Sequence, residues 1–215
     1  MSARRGGSIR GWISRRVEAA FSQVRTLHGI PVHVLNQRAD IDTEVLFERT
    51  DAALAMIAAA DPRRFRRLAR DLRVIEVRRG FTRGAYYHDG RRCVLDNTFV
   101  ANPAFEPVEI AACIVHEAMH ARIACMGVKR RPEQLPREER MCRRAEVAFA
   151  ERAPGGERVL ARAAPALDLA DDDVAPAIDY AEVHRRVLAA DLAAMQAPRW
   201  LKRWIARRNG IALPD

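Results

Sequence analysis

The feature that most constrains this chain is a pair of histidines, His116 and His120, in the run Ile110 to Ala124, with no proline or glycine before Gly127. Residues four apart project from the same face of a helix, so two neutral imidazoles there can grip one zinc ion at about 2.0–2.1 Å each. Glu117 follows the first histidine, where a carboxylate can take a proton from water held by such an ion. The flanks Ile110, Ala111, Ala112, Ile114, Val115, Met119, Ile123 and Ala124 make the helix apolar nearly all round, which predicts burial. Two histidines and a glutamate in a buried helix are costly unless a metal or dense hydrogen bonding offsets them. A chance pentapeptide on a solvated helix, the plain alternative, fits those flanks poorly.

A second helix is predicted downstream. Pro136 suits a first helical turn, and Pro154-Gly155-Gly156 stops the segment. Within it Glu139, Cys142, Glu146 and Phe149 share one face, completed by Ala150 and Ala153, while Arg137, Arg140, Arg144 and Glu151 lie opposite. Two glutamates therefore fall on the apolar side, where charge needs an internal partner. They follow His120 by 19 and 26 residues (139 − 120 and 146 − 120), and both separations permit a turn and an antiparallel return. The plain alternative for Glu139 is a surface pair with Arg143 at i+4, worth a few tenths of a kcal/mol.

The motif His116-Glu117-Ala118-Met119-His120 with glutamates on a following helix resembles the zincin metallopeptidases over roughly residues 110–150. In that family the two histidines are ligands and the glutamate is the general base. The metzincin pattern carries a glycine and a histidine where this chain has Ile123 and Met126, so that subclass is excluded. The resemblance is to the gluzincin type, which takes its third ligand from a glutamate on a second helix. Its thermolysin-like spacing implies Glu139 as that ligand, with Glu146 orienting a histidine ring or replacing Glu139. It further implies one Zn2+ per chain with water in the fourth position, and a peptide or protein substrate. Arg122 stands where these families more often carry an apolar residue, which predicts an ion-pair partner on that side of the helix. Such catalysis gains from a donor aimed at the oxyanion. Tyr180 and His184, one turn apart, are candidates, as are Tyr86, Tyr87 and His88.

The length of 215 residues suits one well-buried domain. The net charge of +9 is almost wholly arginine, since Lys129 and Lys202 are the only lysines. A basic surface attracts nucleic acid or anionic lipid, but arginine with abundant alanine equally reflects a coding preference and gives no strong nucleic-acid signal. Cys93, Cys113, Cys125 and Cys142 form no CxxC pair and do not read as a disulfide scaffold; at Cys113 and Cys142 the plain reading is a buried free thiol acting as a small apolar residue. Cys113 and Cys142 share helical faces with the site residues, so a thiolate ligand is conceivable at either. Residues 1–16 lack the apolar region of a signal peptide, and no window reaches 18 uncharged apolar residues, so a cytoplasmic location is expected.

The remaining pattern predicts an amphipathic helix from Ile9 to about Leu27 and a strand over Ile30 to Leu35. A helix from Asp42 to Ala60 follows, with Val45, Leu46, Ala52, Leu54, Ile57 and Ala58 inward. Asp61-Pro62 caps a helix from Arg63 to about Leu72, and Val74 to Val77 reads as a strand. Ala85 to His88 and Arg91 to Leu95 flank Asp89-Gly90, a type I′ hairpin signal. In the zincin analogy, part of Arg91 to Asn97 would be an edge open to an extended peptide. Tyr180 to Met195 is helical. Beyond Pro198, Trp200, Leu201, Trp204 and Ile205 stripe a basic helix, expected to dock on its own domain with both tryptophans in a groove. Weak peripheral contact of residues 199–208 with an anionic membrane is the alternative. The fold class is thus α+β: a mainly helical, zincin-like domain over residues 1–197, with a small antiparallel sheet or hairpin before the metal-binding helix, and a terminal helix over 198–215. The function expected is zinc-dependent peptide hydrolysis. Its rivals are a non-catalytic zinc protein whose basic surface binds a partner or nucleic acid, and a zinc hydrolase with a non-peptide substrate.

Overall fold

The computed structural model describes residues 22–80, 82–128, 131–175, 180–194 and 198–211. The helix expected from Ile9 to Leu27 fails over its described part. Gln23–Leu27 is a strand, β1, antiparallel to β2, Ile30–Leu35. The turn between them explains why: His28 and Gly29 take φ of 49° and 81°, the left-handed pair that closes a two-residue hairpin with the right twist. Residues 9–21 of that expectation, Trp12 among them, lie outside the described residues.

Helix α1, Thr43–Ala60, starts where the Asp42 side chain accepts from the Glu44 backbone N–H. Its inner face is Leu46, Phe47, Ala53, Leu54 and Ile57, whereas Ala52 is exposed. Helix α2, Pro62–Asp71, is capped by Asp61 through the Arg64 N–H, with proline in the first turn as expected. Three strands follow: β3, Val74–Arg78; β4, Gly84–Tyr87; and β5, Arg92–Asp96.

The sheet order is β1-β2-β3-β5-β4, with β3 parallel to both β2 and β5. The sheet is therefore mixed rather than antiparallel. Helices α1 and α2 supply the long crossover that a parallel β2–β3 pair requires. The β4–β5 hairpin forms as expected, with Tyr87 opposite Arg92. Its connection is longer than a type I′ turn, and the positive φ values fall at Gly90 and Arg91. Strand β5 is interior, so the edge expected within Arg91 to Asn97 is instead β4.

One sheet face carries Ile30, Val32, Val34, Ile75, Val77, Cys93 and Leu95, all buried in one cluster with Phe47, Leu54, Ile57, Ile110 and Ile114. Each large apolar side chain so buried contributes about 1.5–3 kcal/mol. A short α3, Asn97–Ala101, is capped by Asp96. Helix α4, Pro107–Cys125, begins at a capping box between Glu106 and Glu109 and buries most of its length, as its all-round apolarity predicts. Helix α5, Leu135–Ala150, packs along α4, and α6, Glu157–Ala163, packs on both. Arg122 finds its expected partner in buried Asp71 at the end of α2, 3.5 Å away.

Helix α7, Asp171–Val174, precedes α8, Tyr180–Ala194, and α9, Arg199–Arg208, which contacts α8. Ala206 is buried and Leu201 and Ile205 are half-buried. Trp200 and Trp204 are 69% and 54% exposed, so they do not fill a groove. The inward face of α9 is Leu201-Ile205-Ala206, which leaves both indoles outside. Among the described residues, no helix is long and apolar enough to cross a membrane.

Candidate metal centre

Helix α4 presents His116, Glu117 and His120, each under a tenth exposed, toward α5. Helix α5 answers with three carboxylates. Glu139 lies between the imidazoles: its Oε2 is 3.3 Å from His116 Nε2 and its Oε1 is 3.3 Å from His120 Nε2. Glu138 Oε1 accepts from His120 Nδ1 at 2.7 Å. Glu146 Oε2 lies 3.4 Å from His116 Nδ1, which has no well-formed hydrogen bond although it is buried. The structure thus brings together both histidines, Glu117, Glu139 and Glu146. Arg143 does not take Glu139 in the surface pair considered above; it bonds Glu146 at 3.0 Å.

The proton inventory makes this arrangement informative. A carboxylate only accepts, so His120 Nδ1 must carry the proton shared with Glu138. If that ring is neutral, its Nε2 is a lone pair aimed at another acceptor, Glu139. The same holds for His116 if Nδ1 faces Glu146 as a donor. Lone pairs confronting a carboxylate repel unless positive charge lies between them. A proton can supply that charge: burial disfavours the imidazolium forms, but Glu139 and Glu146 outweigh it at His116, and Cys142, Glu138 and Glu139 do so at His120, so both pKa values are raised. A divalent cation serves the same purpose. Four carboxylates, Glu117, Glu138, Glu139 and Glu146, crowd the two imidazoles, and Arg143 and Arg162 both pair with Glu146, so Glu139 is left to the histidine Nε2 atoms. The donors present therefore fit a metal.

Glu146 is 1% exposed and also binds Arg162 of α6. Burial would raise its pKa, but His116, Arg162 and Arg143 hold it down at about 2. Glu139 is driven well below the usual carboxylate range against its own burial, by His116 and His120. Glu117 behaves oppositely: burial raises its pKa, and the histidines only partly offset that. A carboxyl poised upward is suited to exchanging protons nearer neutral pH.

Cys142 adds another donor. His116, His120 and Cys142 form a buried group whose ligand atoms lie within 4.8 Å of one another, close enough to hold a metal ion. Cys142 stands four residues from both Glu138 and Glu146 on α5, whereas Glu139 lies against the Nε2 atoms. Two donor sets thus share the imidazoles. All four cysteines are free.

Edge strand β4 closes the other side. A Cβ added at Gly84 would lie 2.5 Å from Cys113 Sγ and 3.2 Å from Glu117 Oε1, so only glycine lets β4 approach the helix this closely. Two residues on, the Tyr86 ring runs parallel to His120, with centroids 6.4 Å apart and planes 8° from parallel. Of the other donor candidates, Tyr87 points to the far face among Arg78 and Arg92, away from the site. His88 packs edge-on to Tyr86. Tyr180 and His184 fall in α8, and their side chains lie outside the described residues.

Sequence reasoning missed Glu138, although its place four residues before Cys142 puts it on the same stripe. It weighed Arg143 only as a partner of Glu139, although Glu146 at i+3 was the signal for the pair that forms. Arg162 had none, because its role depends on how α6 folds back. No protein-family model, curated protein or solved structure matches the chain.

Proposed function

We propose that this chain is a zinc-dependent metallopeptidase of gluzincin type, with His116, His120 and Glu139 as ligands. One observation carries the reading: two histidine Nε2 atoms converge on one carboxylate, an arrangement that calls for a cation between them, while each Nδ1 faces its own glutamate. Backing of this kind fixes the tautomer and raises the basicity of a metal-binding imidazole. When bound, zinc supplies Lewis acidity toward a carbonyl and toward water. Glu117 accepts the proton of the attacking water at a carboxylate oxygen and delivers it to the leaving amine. Glu138 and Glu146 keep the rings oriented, and Gly84 admits the β4 backbone beside Glu117. Among the described residues β4 pairs only with β5, so its outer edge can take an extended peptide as an added strand, which favours a peptide substrate.

A second reading rests on Cys142. If its thiolate joined His116, His120 and Glu139 as a fourth ligand, the site would be closed and structural. Both readings are tested by metal analysis of the purified chain together with cleavage of a fluorogenic peptide library. The peptidase reading expects about one zinc per chain, and a Glu117→Gln variant that keeps metal and fold but loses cleavage. A wild-type protein that takes up no zinc, or a Glu117→Gln variant that cleaves as well as wild type, overturns it. Zinc without cleavage, lost in Cys142→Ala, supports the structural site instead.

A further inference from the structure

Helix α9 turns two ridges to solvent. Trp200 and Trp204, one turn apart, form the first, and Arg208 extends it with its guanidinium 5.0 Å from the Trp204 ring centroid. Arg199, Arg203 and Arg207 form the second, and all three are exposed. Packing occupies the opposite side: Ala206 is buried, and Lys202 Nζ donates to Ala193 O of α8 at 3.4 Å. The ten residues include five basic side chains and no acidic one. Two large indoles facing water in so short a helix do nothing for its contact with α8. A helix of this length spans about 15 Å, half a bilayer's hydrocarbon core, so it can lie on a membrane but not cross one.

We propose that α9 binds the surface of an anionic bilayer, lying in its plane with Trp200 and Trp204 at the boundary between headgroups and acyl chains. The neighbouring arginines meet lipid phosphates and carboxylates. Indole rings favour that boundary because they are apolar bodies with one polar N–H, and guanidinium groups beside them gain from the negative surface potential. A nucleic acid would use the arginines but leave both tryptophans without a role. The proposal is independent of the metal centre.

The test uses the full chain in a Trp12→Phe background, so that indole fluorescence comes from α9 alone. Co-sedimentation compares vesicles of phosphatidylcholine with vesicles that also contain phosphatidylserine. Binding should require phosphatidylserine, fall as salt rises, and be accompanied by blue-shifted emission that brominated acyl chains quench. Arg203→Gln/Arg207→Gln should weaken binding by roughly 30-fold. Trp200→Ala/Trp204→Ala should abolish it without lowering the melting temperature. Three results would overturn the proposal: no preference for phosphatidylserine, unshifted emission on bound vesicles, or undiminished binding by the double tryptophan variant. Binding to a DNA duplex but not to vesicles would assign the helix to nucleic acid instead.

Discussion

Replacing Gly84 with alanine probes the seat of the edge strand on the metal-site helix. The added Cβ would meet Cys113 Sγ at 2.5 Å, against an ordinary contact of about 3.5–4.0 Å, an overlap of about 1 Å. Either β4 lifts from α4 or Cys113 is forced from its place. Overpacking of this kind costs about 1–3 kcal/mol, which in a domain of this size lowers Tm by about 2–12 °C. Cys113→Ala removes the sulfur and leaves the tighter-than-usual approaches to Glu117 Cγ and Oε1, both at 3.2 Å. The double variant Gly84→Ala/Cys113→Ala should therefore recover much of the lost stability, with a coupling of about 1 kcal/mol or more. Thermal and urea unfolding of wild type, both single variants and the double variant measure this cycle. A Gly84→Ala protein that melts with wild type, or a double variant that loses the sum of the single effects, would refute the seating of β4 against α4.

Metal affinity should separate the donors: Glu139→Ala should weaken zinc binding more than Cys142→Ala does, as read by competition with a chelating dye, and the reverse order would hand the ligand role to the thiol. Glu138→Gln and Glu146→Gln should each cost roughly 10–100-fold in affinity, because they orient the rings without touching the ion; unchanged affinity in both would remove that role. The metal-free protein should lose stability in acid through Glu146. Its folded pKa of about 2 lies below the ordinary carboxyl value of 4.5, so its contribution is complete above the higher value and disappears as pH falls toward the lower one. Urea midpoints across that window should fall for wild type and be flatter for Glu146→Gln, and parallel curves would show that Glu146 is not the titrating group.

The convergence of the candidate site residues was legible because its signals are local. His116, Glu117 and His120 need only helical pitch, and a glutamate on the apolar stripe of a following helix needs only amphipathic phase. Glu138 was equally legible but lost to a choice of stripe: Cys142 has neighbours at both i−3 and i−4, and a histidine faces each. The sheet was harder. Nothing within Val74 to Val77 says that it will run parallel to two neighbours, since that direction is set by where α1 and α2 return the chain. The Gln23–Leu27 strand was hidden by a helical reading carried through Val24, which the structure leaves exposed at the sheet edge. The terminal helix was found, but not its orientation, because Trp200 and Leu201 are adjacent in sequence and only packing decides which turns inward.

The three α5 carboxylates ride one rigid rod, and the histidines and Glu117 ride another. The centre is consequently a joint rather than a pocket: a slide of α5 along α4 by one residue, about 1.5 Å, would pull Glu138, Glu139 and Glu146 out of reach together. Phe149 and Cys142, fully buried in that seam, act as the detents that fix the position. Arg162 ties α6 to Glu146 and so couples a third rod to the same setting. Such a centre engages or disengages as a whole, so packing changes between the helices can tune it without altering any of its donors.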